Sequence, residues 1–419
     1  MPTIDLKYGR DRVPLEYDAD RFEILTSAVD QSALSDAEIG DRLDDPVDSL
    51  RLDEIIATGQ TVLIVVPDAT RQTGCGQVIN LLIRRLIANG TAPHEIRIIF
   101  ATGIHRKVTE AEKEAILTPF IAQRIKTFDH DPRDLMQLVR IGETSGGLSV
   151  ELNRVLTEHD HVIIIGGVTF HYFAGFTGGR KLICPGLASS RTISETHKLA
   201  FDCKTRSRRE GVETGKLDGN AVNEVFMEIV ERVAPAFAIN TIVNDAGDIV
   251  DLVCGNWRSS HRVACETYAE RHIVHVTEKR DLVIAGCGGY PFDINLIQAH
   301  KALEAACHGC NDGGTIVFLA ECADGLGRDD FLKWFNAENS SVLAETLCEK
   351  YQVNGQTAWS LLKKAERFDI RIVTSLGTSD IQKMRLKKID IQALEDIAVE
   401  AGSNGYIFPN GAKFRITDL

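Results

Sequence analysis

Along this chain, short β-branched runs alternate with longer amphipathic ones. The apolar runs are Val62–Val66, Ile96–Phe100, His161–Ile165, Ala236–Val243, Asp281–Ala285, Thr315–Leu319 and Ile370–Thr374. Between them, Gly76–Ala88, Glu110–Leu117, Asn220–Val233 and Asn295–Cys307 read as helices. Strands that alternate with helices in this way predict βαβ units. The opening segment, with Lys7-Tyr8-Gly9 between alternating apolar residues, reads as a β-hairpin. The pattern therefore predicts an α/β protein with mostly parallel sheets. At 419 residues it is too long for one simple core, so two domains are expected. A boundary near residue 272 divides it into 1–272 and 273–419, with the active site in a cleft between the two.

The ends of the strands carry the chemistry. Val62–Val66 runs into Pro67-Asp68-Ala69-Thr70-Arg71, Ile96–Phe100 into Ala101-Thr102-Gly103-Ile104-His105, and His161–Ile165 into Gly166-Gly167-Val168-Thr169-Phe170-His171. Open α/β sheets bind ligands at the carboxyl ends of their strands, so three successive strands offer polar groups to one crevice. After Asp281–Ala285 comes Gly286-Cys-Gly-Gly-Tyr290-Pro-Phe-Asp293 and a helix bearing Gln298 and Lys301, one turn apart on one face.

Composition narrows the class. The net charge of -13 argues against nucleic acid, which demands clustered cations. No apolar run approaches membrane-spanning length, and the first residues are charged from Asp5 with no signal core. The ten cysteines are scattered rather than framing short loops, as expected of buried hydrophobes in a cytoplasmic protein. Cys307-His-Gly-Cys310 has no partner pair to complete a zinc site.

The densest chemistry is Phe170 to His197, FHYFAGFTGGRKLICPGLASSRTISETH. It holds two imidazoles, a lysine and a glycine turn. The turn fails as a P-loop, because Arg180 precedes Lys181 where glycine is needed and Leu182 replaces Ser or Thr. Gly286-Cys-Gly288-Gly289 fails as a dinucleotide fingerprint at Pro291. Neither HExxH nor GxSxG is present. Asp68 and Arg71 suit a hydroxyl and an anionic group, or equally a helix cap and a surface arginine. Asn295 reads as a cap for the Gln298 helix.

Taken together, DATR at Asp68–Arg71, TGxHR around His105, HxxAGFTGGxKxxxPG from His171 to Gly186, His197 sixteen residues after Lys181, and QAHK at Gln298–Lys301 after GGYPFDxN resemble the nickel-pincer lactate racemase family. The resemblance implies a racemase or epimerase of a 2-hydroxy acid. Lys181 would carry, through a covalent link, the nickel-pincer nucleotide, a Ni(II) pyridinium-3,5-bisthiocarboxylate mononucleotide. His197 would be the protein's nickel ligand. Asp68, Ala69, Thr70, Arg71, Gly178 and Gly179 would hold the cofactor. His105 and His171 would be the acid/base pair. Arg71, Gln298 and Lys301 would orient the substrate. Hydride would leave C2 for the pincer ring and return on the opposite face, and cofactor-maturation proteins would be partners. The family covers its pocket with an aromatic residue from the C-terminal domain. Here Gln356 stands at that register and Trp359 three residues on, implying a more polar pocket and leaving the acid open between lactate and a larger or more polar relative such as a dicarboxylate or sugar acid. The rivals are a metal-dependent hydrolase with His105, His171 and His197 as ligands, and a protein that binds nickel or the cofactor without turnover.

Overall fold

A computed structural model describes residues 1–27, 32–400 and 402–418. The chain forms two compact units. One comprises Val29–Ala200 and Glu210–Glu270, the other Met1–Ala28, Phe201–Arg209 and Arg271–Leu419.

The first unit is built on a six-stranded sheet ordered Ile249–Gly255, Phe237–Val243, His161–Gly167, Val62–Pro67, Ile96–Ala101, Lys126–Asp129. All pairs are parallel except the edge pair Phe237–Val243 with Ile249–Gly255. Its central strands bury every residue from Val62 to Val66. The helix Cys75–Ala88 closes one face with Val78, Ile79, Leu82, Ile83 and Leu86, the spacing of one apolar helix stripe. Val62–Pro67 is flanked on one side by Ile96–Ala101, which follows it, and on the other by His161–Gly167, which comes later. The chain thus reverses its direction of progress across the sheet beside Val62–Pro67, the position where open α/β sheets leave a crevice.

The second unit repeats the plan. Its sheet runs Lys387–Lys388, Asp369–Val373, Cys310–Leu319, Arg280–Gly286, Gly405–Phe408, Phe22–Ile24, with every pair parallel. The hairpin Thr3–Tyr8 with Asp11–Glu16 forms as the pattern predicts, and its tip is held where Gly9 N–H donates to Asp293 at 2.7 Å. Phe201–Arg209 is fastened to the same unit by Phe201 edge-on to Trp359, by Arg206 with Glu345 at 2.7 Å, and by Arg208 with Glu304 at 2.6 Å.

Two readings need correction. Asn295–Cys307 is not one helix. Leu296–Ala299 gives way to a tighter turn at His300–Ala302 before Leu303–Gly309 resumes, and the His300 ring bonds the Ile297 carbonyl there. Asn295 does cap it, accepting from Gln298 N–H at 3.0 Å. Cys203 and Cys348 form a disulfide rather than standing as separate apolar residues. They lie 145 residues apart, a spacing that reveals nothing in the sequence.

Candidate active site

The carboxyl end of Val62–Pro67 is organised by one carboxylate. Asp68 leaves the end of that strand 3% exposed. Its Oδ1 accepts from the Thr70 N–H at 2.9 Å and the Thr70 hydroxyl at 2.6 Å, and its carbonyl accepts from Arg71 N–H. These bonds fold Asp68–Arg71 into a turn; the next helix starts only at Cys75, so Asp68 is not its cap. Oδ2 lies 2.6 Å from His105 Nδ1, delivered from the end of the neighbouring strand. Burial works against the Asp68 charge, but His105, Arg71 and Thr70 outweigh it and hold the carboxyl down at about 2. An ionised Asp68 requires a proton on His105 Nδ1, which leaves the Nε2 lone pair to accept.

His171 has the opposite arrangement. Its Nδ1 accepts N–H bonds from Ala174 at 3.2 Å and Phe173 at 3.4 Å. A nitrogen that receives N–H donors carries no proton, so the neutral ring is protonated at Nε2. One candidate acid/base residue thus presents an acceptor and the other a donor.

Phe173 ties the remaining groups together. Its ring stands edge-on to His171, centroids 4.5 Å apart, and to His197 at 5.0 Å, and Lys181 Nζ lies 5.5 Å from its centroid. Phe173 lies inside the Phe170–His197 stretch, but no motif in the sequence singles it out. Its only signal was a position two residues after His171.

The Gly178–Leu182 turn packs on the end of His161–Gly167. A Cβ at Gly166 would come within 3.2 Å of the Gly178 Cα. Gly178 and Gly179 have φ of +72° and +48°, and a Cβ at Gly179 would lie 2.4 Å from the His261 ring, so only glycine fits. Arg180, 1% exposed, reaches back to the Ala174 carbonyl at 2.7 Å and meets His261 Nε2 at 3.1 Å. It makes no ion pair with a carboxylate among the described residues, so a buried positive charge sits one residue before Lys181. His261, which no motif in the sequence marks, bonds the Thr177 carbonyl and braces this turn.

His197 lies on the helix Ser190–Lys198, capped by the Ser189 hydroxyl. Burial first, then the charges of Lys181 and His105, push its imidazole down to about 3, while a bond to the Ile193 carbonyl works the other way. It is therefore neutral near physiological pH, with a lone pair available. Among the described residues no three His, Cys, Asp or Glu side chains converge as a metal site.

The structure gathers Asp68, Thr70, Arg71, His105, His171, Gly178, Gly179, Lys181 and His197 in the first unit; Ala69, in the same turn, packs partly on the core. Gln298 and Lys301 belong to the second unit, where the Lys301 ammonium donates to the Gln298 side-chain oxygen. Trp359 lies in that unit's apolar core, and Gln356 accepts from the Tyr351 hydroxyl.

Known proteins share this architecture. Residues 8–208 match the lactate racemase N-terminal domain and residues 275–398 the lactate racemase C-terminal domain. The lactate racemase of Thermoanaerobacterium thermosaccharolyticum is 30% identical over 339 residues, covering 80% of this chain and 78% of that one. That of Lactiplantibacillus plantarum is 31% identical over 336 residues, 79% and 77% of the respective chains. The apoprotein structure of the Thermoanaerobacterium lactate racemase superposes with a TM-score of 0.87 at 26% identity, over 99% of this chain and all of that one. A Thermotoga maritima protein shares the fold at 19% identity, with a TM-score of 0.74. Fold and relatives define an isomerase of the racemase type. The chain belongs to the lactate racemase family.

Proposed function

We propose that this protein interconverts the C2 stereoisomers of a 2-hydroxy acid, the chemistry named for its lactate racemase relatives, using a nickel-pincer nucleotide linked to Lys181. The observation that carries the reading is the contrast in ring contacts: His105 Nδ1 faces the Asp68 carboxylate, whereas His171 Nδ1 accepts from the Ala174 N–H, in one unit with Lys181 and His197.

The residues suit the group. A neutral imidazole at His197 would serve as a nickel donor, with the remaining donors supplied by the bound group. Lys181 is only partly buried, and the glycine turn lets backbone N–H groups approach an anionic group. Arg180 adds fixed positive charge behind that turn. When bound, the nucleotide would supply an electron-poor ring suited to accepting a hydride.

The chain's own residues handle the proton. His105 Nε2 takes the hydroxyl proton, and Asp68 stabilises the imidazolium that results. His171 Nε2–H hydrogen-bonds the same oxygen as the substrate flattens, and the His105 imidazolium gives its proton back to that oxygen when the C2–H bond re-forms. A path in which His171 takes the proton needs its own proton moved to Nδ1, at the expense of the Phe173 and Ala174 contacts. Arg71, Gln298 and Lys301 hold the carboxylate and hydroxyl. No helix among the described residues is long and apolar enough to cross a membrane, and we assign the protein to the cytoplasm, with cofactor-maturation proteins as partners.

Co-expression with the cofactor pathway tests the reading. Intact mass should show an adduct that Lys181→Ala lacks, and chiral chromatography should show loss of optical purity in a 2-hydroxy acid. An adduct without racemisation of any such acid would leave a binding protein instead.

A further inference from the structure

We infer that Gln356 and Tyr351 read the side chain of the substrate, and that the preferred acid carries an oxygen acceptor beyond C2. The inference rests on the racemase reading and adds the substrate class.

The helix Val353–Arg367 carries a polar stripe where an apolar one is expected. Gln356, Ser360 and Lys364 recur every four residues, so they share a face, and all are buried, at 6%, 4% and 8% exposure. Lys364 binds the Ser360 hydroxyl at 2.7 Å and Glu304 at 3.0 Å. Glu304 also holds Arg208, and its carboxyl lies well below its ordinary range despite burial. The lower part of the stripe is therefore fully engaged against the Leu303–Gly309 helix.

That ion pair fixes the register of the two helical segments. Leu296–Gly309 follows the strand Arg280–Gly286, and Val353–Arg367 leads into the strand Asp369–Val373, in the same parallel sheet. Both segments therefore start at the carboxyl edge of the sheet and run the same way. Gln298 lies six residues before Glu304, on the far side of the tighter turn at His300–Ala302. Counting back from Lys364 by eight, about 12 Å, reaches Gln356. The first turn of Val353–Arg367 is tied to the same edge by Asn354 to Asp330 at 2.8 Å. The loop before Asp330 packs Gly327 on Asn295, the cap of the Gln298 helix. Gln356 thus lies toward the same carboxyl edge of the sheet as Gln298 and Lys301, the edge where open sheets take ligands.

What distinguishes Gln356 is an unused donor. Its Oε1 accepts from the Tyr351 hydroxyl. Its Nε2 bonds no other described group, yet is not sealed from solvent. A nearly buried side chain whose one open atom is an N–H donor suits an acceptor oxygen. A methyl group would leave that donor unpaired, and sites built around a hydrogen bond reject analogues that lack it.

The test compares lactate with a 2,3-dihydroxy acid and a four-carbon 2-hydroxy diacid in the cofactor-loaded enzyme, and so separates hydroxyl from carboxylate. One of the two polar acids should exceed lactate in kcat/KM by about 10-fold or more. Gln356→Leu should erase that preference, with Tyr351→Phe in between. Gln356→Glu, which keeps an acceptor for Tyr351, should discriminate against the diacid specifically if the group read is a carboxylate, and controls for a Leu variant that fails to fold. A wild-type preference for lactate, or an unchanged ratio in active Gln356 variants, overturns the inference and leaves the racemase reading standing. Inactivity of the wild type towards every acid removes both.

Discussion

Asp68 Oδ2 lies 2.6 Å from His105 Nδ1, joining the ends of two adjacent strands 37 residues apart in sequence. The bond fixes which His105 nitrogen carries the proton, and Asp68→Asn should remove that constraint. We expect the variant to lose about 10²-fold or more in kcat, measured by chiral assay, with the Lys181 adduct intact.

The same carboxylate gives a pH signature. Its folded-state value, about 2, lies below the ordinary 3.8, so its stabilising contribution is complete above the ordinary value and is lost as pH falls toward about 2. Melting curves of wild type and Asp68→Asn should differ most near neutral pH and converge in that acid window. A gap that widens with acid would contradict the assignment.

The His171 contacts predict unequal turnover. To act as base, His171 must move its proton to Nδ1 and give up the Phe173 and Ala174 N–H bonds. The kcat values measured from the two antipodes should therefore differ. Their kcat/KM values must remain equal, because racemisation has an equilibrium constant of one. His105→Ala and His171→Ala should each cost about 10²–10⁴-fold while keeping the adduct.

At Gly179 an added methyl meets both a left-handed φ of +48° and the His261 ring. Gly179→Ala should destabilise the protein by about 1–2 kcal/mol or more, read as a lower midpoint in urea. It should also reduce adduct formation at the adjacent lysine.

His197→Ala should leave the mass adduct in place and deplete nickel, measured by elemental analysis of the matured protein. Unchanged nickel content would remove His197 from the ligand set.

Much of this was legible in the sequence for definite reasons. Val62–Val66 and His161–Ile165 announce themselves because a strand buried on both faces needs an unbroken apolar run. The glycine–lysine block stands out because consecutive glycines before a lone lysine have little structural use otherwise. What stayed hidden depends on contacts between distant residues. Nothing local to Asp68 reveals His105, nothing near Arg180 reveals His261, and Cys203 gives no sign of Cys348. Phe173 was hidden differently: its apolar neighbours made it look like core, and only the packing shows it touching two histidines. The polar stripe of Gln356, Ser360 and Lys364 takes its meaning from burial and from the contact with Glu304, which no neighbouring residue in the sequence reveals.

The most direct test follows the hydrogen at C2. Matured enzyme should be given one antipode of a C2-deuterated 2-hydroxy acid in ordinary water, and the inverted product analysed by chiral separation and mass. The account predicts product of opposite configuration with deuterium retained at C2. Inverted product carrying hydrogen from water, or no inverted product at all, would contradict it.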